Sequence, residues 1–431
     1  MNVSVVGLWH LGTVTAACVA SAGHHVVGFD PDAALTEQLS AGGLPVAEPD
    51  LAELTSAGLA SGHLTFTADP AGIRSSDIVW ITFDTPVDDE DHADVEFVIH
   101  QVSDLFVHLA PGSIVLVSSQ LPVGSVARLE RLYRAACPRG TATFASSPEN
   151  LRLGKAIDVF LHADRFVVGT RAPADQDRLG ELLHTFTSRI EWMSVESAEM
   201  TKHAINAFLA VSVTFTNELA ALCEQVGASA GEVEVGLKTD QRIGPKAYVK
   251  PGAAFAGGTL ARDIAYLLAQ CRVAGLNAPL LSAVAPSNQQ HKGWARRRLQ
   301  ALLGELRGKT VAVLGLTYKP GTNTLRRSSA VELCEWLSAQ GAQVRAFDPA
   351  IKTLPSELAQ KITLTRSWRE AVHRAEAVVV ATEWPEFRDV TSTDLVREAG
   401  RIPLVLDASG FLDKTLGCDG PVRYLCVGRA A

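Results

Sequence analysis

The stretch Asn2-Val-Ser-Val-Val-Gly7-Leu-Trp-His-Leu-Gly12, continued by Thr13 to Ala22 and closed by His25-Val-Val-Gly-Phe-Asp30, decides the fold. A β-branched apolar run stops at a glycine, a segment of helical composition follows, and a second apolar run ends on a carboxylate. That order reads as strand, turn, helix, strand. Gly7 and Gly12 frame a dinucleotide-binding turn in which Trp9 takes the place of the middle glycine. In such a turn the free N–H groups and the dipole of the helix N-terminus favour a pyrophosphate. Trp9 weakens the pattern without abolishing it, since a side chain there can point away from the phosphates. Asp30 can accept both ribose hydroxyls and would repel a 2′-phosphate, which favours NAD over NADP. His10 has no acid near it in sequence and reads as a packing or solvent-facing side chain rather than an acid/base group.

Outward from this unit, strand-like runs recur at Asp77-Ile-Val-Trp-Ile-Thr82, Ser113-Ile-Val-Leu-Val-Ser118 and Arg165-Phe-Val-Val-Gly169, separated by helical stretches. The alternation predicts a parallel sheet with helices on both faces. From Ser197 to about Val226 the pattern becomes one long helix without glycine or proline, its apolar residues Ala204, Phe208, Leu209 and Val213 at helical spacing. A second α/β unit opens at Lys309-Thr-Val-Ala-Val-Leu-Gly315 and reaches Val344-Arg-Ala-Phe-Asp348. The fold class is therefore α/β, with two Rossmann-like doubly wound domains joined by a long central helix and a helical middle domain. The boundaries fall at 1–195, 196–300 and 301–431.

Composition narrows the class further. A chain of 431 residues can bury several cores. Its 47% of hydrophobic residues are spread out, with no uninterrupted apolar run near the ~20 residues that span a bilayer and no signal-peptide pattern at the start. The expectation is a cytoplasmic protein with no membrane partner. A formal charge of -8 argues against tracking nucleic acid. The seven cysteines are odd in number and lack CxxC spacing, so neither a disulfide framework nor a metal site is expected.

The turn Gly7 to Gly12 is joined by Thr85-Pro86, Ser147-Pro-Glu-Asn-Leu-Arg152, Glu199-Met-Thr-Lys-His-Ala-Ile-Asn206, and Gly315-Leu-Thr-Tyr-Lys-Pro-Gly-Thr322 with Arg326. In this order, over essentially the whole chain, they resemble the UDP-glucose/GDP-mannose dehydrogenase family. The resemblance implies oxidation of the C6 alcohol of a nucleotide-linked hexose to a carboxylate with two NAD molecules, through an enzyme-bound aldehyde or thiohemiacetal. It implies NAD in the first domain, a homodimer built largely on the central helix, and the nucleotide of the substrate in the last domain. Gly7, Trp9, His10, Leu11, Gly12, Asp30, Thr85 and Arg326 are then the expected cofactor contacts. Lys202 matches the lysine that stabilises the developing alkoxide, with Asn206 one turn further on the same face. Glu149 matches a glutamate that moves protons through water, and Asp263 a carboxylate beyond the nucleophile. Leu151, Tyr248, Phe255, Gly257 and Lys319 are the expected sugar and nucleotide contacts. Arg242, in Asp240-Gln-Arg-Ile-Gly244, is expected to reach the substrate of a neighbouring subunit. Lys319 and Arg326 are permanent cations suited to phosphates.

Two positions depart from the family pattern. Thr259, in Gly252-Ala-Ala-Phe-Ala-Gly-Gly-Thr-Leu-Ala-Arg-Asp263, stands where the nucleophilic cysteine is expected, and Gln120 replaces a threonine that helps position the hydrolytic water. A hydroxyl supplies neither a thiolate nor a good leaving group unless a base is provided. Cys271 lies too far along the same helix to substitute, roughly 18 Å. Alcohol oxidation needs none of this, so the expected reaction stops at the aldehyde or returns the hydride in an epimerisation. Direct oxidation of a hydrated aldehyde, slowly giving the uronate, is a third course. A non-catalytic nucleotide-sugar binding protein is the alternative from another class.

Overall fold

The computed structural model describes residues 1–88, 93–148, 151–256, 258–417 and 420–429. Glu149 and Gly257, both expected in the site, lie outside the described residues. The chain divides into two compact units, Met1–Ile205 and Asn206–Ala431.

The first unit is built on β1 (Asn2–Val6), β2 (His25–Phe29), β3 (Leu64–Thr67), β4 (Ile78–Ile81), β5 (Ile114–Val117), β6 (Thr143–Ser146), β7 (Phe166–Gly169) and β8 (Ile190–Met193). They form one sheet in the order β3-β2-β1-β4-β5-β6-β7-β8. Side chains alternate between two buried faces. Val3, Val5, Ile78, Trp80, Ile114 and Leu116 enter one core, whereas Val79, Ile81, Val115 and Val117 enter another. Burial on both sides is what continuous apolar strands require. The chain leaves β1 in one direction to β2 and β3 and returns to its other side at β4, so the switch point lies at the carboxyl ends of β1 and β4. The sheet is not parallel throughout: β7 runs antiparallel to β6 and carries β8 parallel to itself. An apolar run has no direction in its composition, so this reversal leaves no mark in the pattern.

The second unit repeats the design with β9 (Thr310–Leu314), β10 (Gln343–Phe347), β11 (Thr363–Leu364), β12 (Ala377–Val380), β13 (Leu404–Asp407) and β14 (Arg423–Leu425). All pair parallel, in the order β11-β10-β9-β12-β13-β14. Val311, Val313 and Val379 point into one core, and Ala312, Leu314 and Val378 into the opposite one.

The long helix Val195–Val226 runs through the division at 205, and the helices Ala230–Thr239, Thr259–Val273, Pro279–Lys292 and Trp294–Leu303 follow it. Among its buried residues, Ala207 and Ala210 pack with Ile264 and Val284, and further on Ala220 and Cys223 join another cluster. Ala204 and Phe208 are exposed while Leu209 and Val213 are half-buried, so the helical period is as expected from the sequence. With a mean hydropathy of 1.4 over its most apolar 18 residues, this helix is by length and composition long enough to cross a membrane. Its apolar character is divided between a stripe packed within the chain and a stripe of exposed aromatics.

Candidate active site

Two glycines of the dinucleotide turn are fixed by space. Gly7 has φ +92°, and a Cβ there would lie 2.7 Å from the backbone nitrogen of Phe83. A Cβ on Gly12 would lie 1.8 Å from the Gly7 carbonyl oxygen, so the helix His10–Ser21 could not start this close to β1 with any larger residue. Trp9 needs no glycine: its φ of -75° is ordinary, and its indole is 50% exposed. The turn thus keeps the cradle that a pyrophosphate requires while the bulky side chain points outward. Leu11 is half-buried, and Thr13 Oγ1 donates to the carbonyls of Leu8 and Trp9.

Asp30, at the end of β2, accepts from Leu8 N at 2.7 Å and from Asp32 N at 3.0 Å. A carboxylate has about four acceptor sites, so two remain for ribose hydroxyls. His10 differs from its sequence reading. Its Nε2 lies 2.9 Å from Glu48, whose carboxylate is completely buried. The acid partner exists, but the fold, not the local sequence, supplies it. Burial alone would push the Glu48 carboxyl up; the N–H groups of Gly154 and Ala156, and then His10, outweigh it and hold it below the usual range.

A second group of residues surrounds a cavity in the same unit, lined by Ser119, Gln120, Leu121, Pro148, Glu199 and Lys202. Gln120 and Lys202, distant in sequence, are therefore brought together. The loop that carries Gln120 is held at several points. Thr85 Oγ1 donates to the Gln120 carbonyl at 2.8 Å, Trp80 Nε1 donates to Ser118 Oγ at 2.8 Å, and Ser118 Oγ donates to the Ser147 carbonyl. Thr85, expected to touch cofactor, is buried and serves this loop through its hydroxyl. From the long helix, Glu199 accepts Gly124 N at 2.7 Å and Val126 N at 2.9 Å. His203 Nε2 lies 3.0 Å from the Leu121 carbonyl, which can only accept, so the proton is on Nε2. Burial pushes the Glu199 carboxyl above the usual range, against the pull of its two backbone donors. Glu199 and His203 thus clamp the loop from either side of Lys202. Leu151 is half-buried against the core of the first unit.

In the second unit, Asn206 Nδ2 donates to Asp263 Oδ2, and both side chains are buried. Asn206 lies one turn beyond Lys202 on the continuous helix. Thr259 is the first residue of its helix and is exposed, with Gly258 before it at φ +99°. The preceding loop is moored by amides. Asn217 accepts Gly252 N at 3.0 Å, and Asn288 bonds both the N–H and the carbonyl of Phe255 at 3.0 and 2.9 Å. His291, kept neutral by burial, lies 2.8 Å from the Gly252 carbonyl. Arg242 is paired with Asp240 at 2.8 Å on an otherwise exposed loop, and Tyr248 is exposed. Lys319 Nζ sits over the Tyr318 ring, and Arg326 is exposed on the same loop.

Glu48, Glu199, His203, Asn217, Asn288 and His291 received no role from the sequence. Asn288 and His291 share a helix face at i and i+3, and Glu199 and His203 share one at i and i+4, which is the only signal the sequence carried.

The three parts of the chain match models of the UDP-glucose/GDP-mannose dehydrogenase family: the NAD binding domain over residues 1–187, the central domain over 196–290 and the UDP binding domain over 312–414. A UDP-glucose 6-dehydrogenase of Rhizobium meliloti is 33% identical over 100% of both chains. The UDP-glucose 6-dehydrogenase TuaD of Bacillus subtilis is 32% identical, covering 100% of this chain and 94% of the relative. The solved UDP-glucose dehydrogenase of Pyrobaculum islandicum superposes with a TM-score of 0.86 at 28% identity, covering 100% of this chain and 98% of that one. The chain belongs to the UDP-glucose/GDP-mannose dehydrogenase family. It is an NAD-dependent nucleotide-sugar dehydrogenase acting on a CH–OH group.

Proposed function

We propose that the chain removes the first pair of electrons from C6 of a nucleotide hexose, UDP-glucose being the foremost substrate, and that formation of the acid is limited by Thr259. The shared cavity of Gln120 and Lys202, one helical turn before Asn206, carries this reading together with the exposed hydroxyl at position 259. The substrate is suggested by relatives named UDP-glucose 6-dehydrogenases.

Bound NAD supplies the hydride acceptor. Lys202 and Asn206 donate to the C6 oxygen, Lys202 stabilising the alkoxide as the C–H bond breaks and the hydroxyl proton leaves to solvent. The products are the aldehyde, NADH and a proton. Asp263 orients Asn206 through their buried hydrogen bond. The second oxidation needs an oxygen or sulfur adduct of the aldehyde. Attack by Thr259 would give an oxygen hemiacetal and then an ester whose hydrolysis lacks a good leaving group. Glu149 and Gln120 are proposed to hold water near C6. Leu151, Tyr248, Phe255, Gly257 and Lys319 are proposed to bind the sugar nucleotide, and Arg326 the cofactor.

We further assign the dimer contact to the outer stripe of the long helix, with Arg242 entering the partner's site, and the three functional segments to 1–195, 196–300 and 301–431. The test counts NADH released per UDP-glucose or GDP-mannose consumed. One NADH with aldehyde product is expected, and Lys202→Ala should lower kcat by about 10²–10³-fold with NAD binding retained. Rapid release of two NADH, an altered sugar with none, or no conversion of any common nucleotide hexose would each overturn the reading.

A further inference from the structure

The dinucleotide turn and the segment after Pro148 are far apart in sequence yet meet at one buried carboxylate. Glu48 belongs to no regular element, and its side chain has no exposed surface. Its Oε1 accepts Ala156 N at 2.8 Å, and its Oε2 accepts Gly154 N at 3.0 Å and faces His10 Nε2 at 2.9 Å. Ala156 is the first residue of the helix Ala156–Leu161, whose N-cap residue, Lys155, offers no capping side chain. The first N–H of that helix, and Gly154 N just before its cap, are therefore satisfied by Glu48, from a loop more than a hundred residues earlier. On the other side, His10 is the first residue of the helix whose N-terminus faces the dinucleotide turn.

We infer that Glu48 is a positioning residue that transmits cofactor occupancy from the Gly7–Gly12 turn, through His10, to the segment 151–161. The inference rests on NAD occupying that turn. A dinucleotide that fixes the turn fixes the His10 ring, and the ring fixes the carboxylate that accepts the first N–H of the helix Ala156–Leu161. A buried carboxylate without one of its donors costs more than a surface one, because no water replaces the missing bond. The pair is thus sensitive to order at either end. The segment so held carries Leu151, proposed above as a substrate contact, and begins three residues after Pro148, which lines the cavity.

Amide hydrogen exchange on the full-length protein, with and without saturating NAD, tests this without any sugar. In the wild type, NAD is expected to slow exchange over 151–161 by about tenfold, the scale of one charge-assisted hydrogen bond. Glu48→Gln offers one acceptor oxygen in place of two and should raise basal exchange there and abolish the response to NAD. His10→Phe removes the third donor to Glu48 but keeps both backbone bonds, so its basal exchange should rise less than in Glu48→Gln while the NAD response is lost. That second variant separates transmission from simple support of the helix, and it serves alone if Glu48→Gln does not fold. NAD saturation of each protein is verified by calorimetry. An equal NAD-induced slowing in wild type and His10→Phe, or none in a wild type that binds NAD, overturns the inference. Failure of the wild type to bind NAD is a separate result: it refutes the cofactor assignment and takes the inference with it.

Discussion

A hydroxyl at position 259 differs from a thiol in the two properties carbonyl chemistry uses, acidity and leaving ability. A cysteine would hold roughly 3% thiolate at neutral pH, whereas a threonine holds none and is β-branched, which restricts its approach to a carbonyl. Asp263, one turn on, is engaged with Asn206 within the core. Thr259→Cys is therefore expected to raise the rate of acid formation at least about tenfold, with two NADH per sugar, leaving the first oxidation unchanged. The measurement is uronate yield by chromatography against time. An unaltered product ratio would show that another residue limits the second step. The glycines and Asp30 were legible at this scale because a tight turn and a ribose contact demand particular residue types at a fixed spacing. Glu48 was not, since its three partners are joined to it only by folding.

The long helix bears two unlike faces. Phe208, Phe215 and Leu222 recur at every seventh position and are 68%, 49% and 57% exposed. Such a stripe is the seam by which one helix meets another. If the proposed dimer forms on this stripe, Phe215→Asp should turn it into monomers, raising the dissociation constant by at least about a hundredfold, as loss of a buried aromatic anchor does. Sedimentation velocity over a range of concentrations decides it, and a monomeric wild type would refute the assignment. The sequence revealed that these residues form a helix, because apolar side chains recur with its period. It left the faces unassigned, because both are apolar and only the partners in space distinguish them. The reversed strands β7 and β8 escaped for a related reason: alternation states burial, not direction.

The two doubly wound sheets share a turn but not its use. Gly315 has φ +93°, as Gly7 has +92°, and Asp348 stands at the end of β10 as Asp30 stands after β2. Asp348 Oδ2, however, accepts from Leu316 N, Thr317 N, Thr317 Oγ1 and Trp384 Nε1, and its Oδ1 accepts from Ala350 N. Its acceptor capacity is used within the protein, so no ribose can claim it. The next helix, Ser329–Ala339, starts only after a long loop, with Ser328 as its own cap. One NAD per chain is the expected calorimetric stoichiometry; a value of two would refute this account.

The loop from Gly252 to Phe255 is tethered by two asparagines and an uncharged histidine, with no ion pair among those bonds. Dissolved electrolyte screens charges but leaves short neutral hydrogen bonds almost untouched. If Lys319 binds the phosphates of the nucleotide as proposed, brine would therefore loosen that hold while the cradle beneath Phe255 kept its form, making the protein a poor binder long before it became a misshapen one.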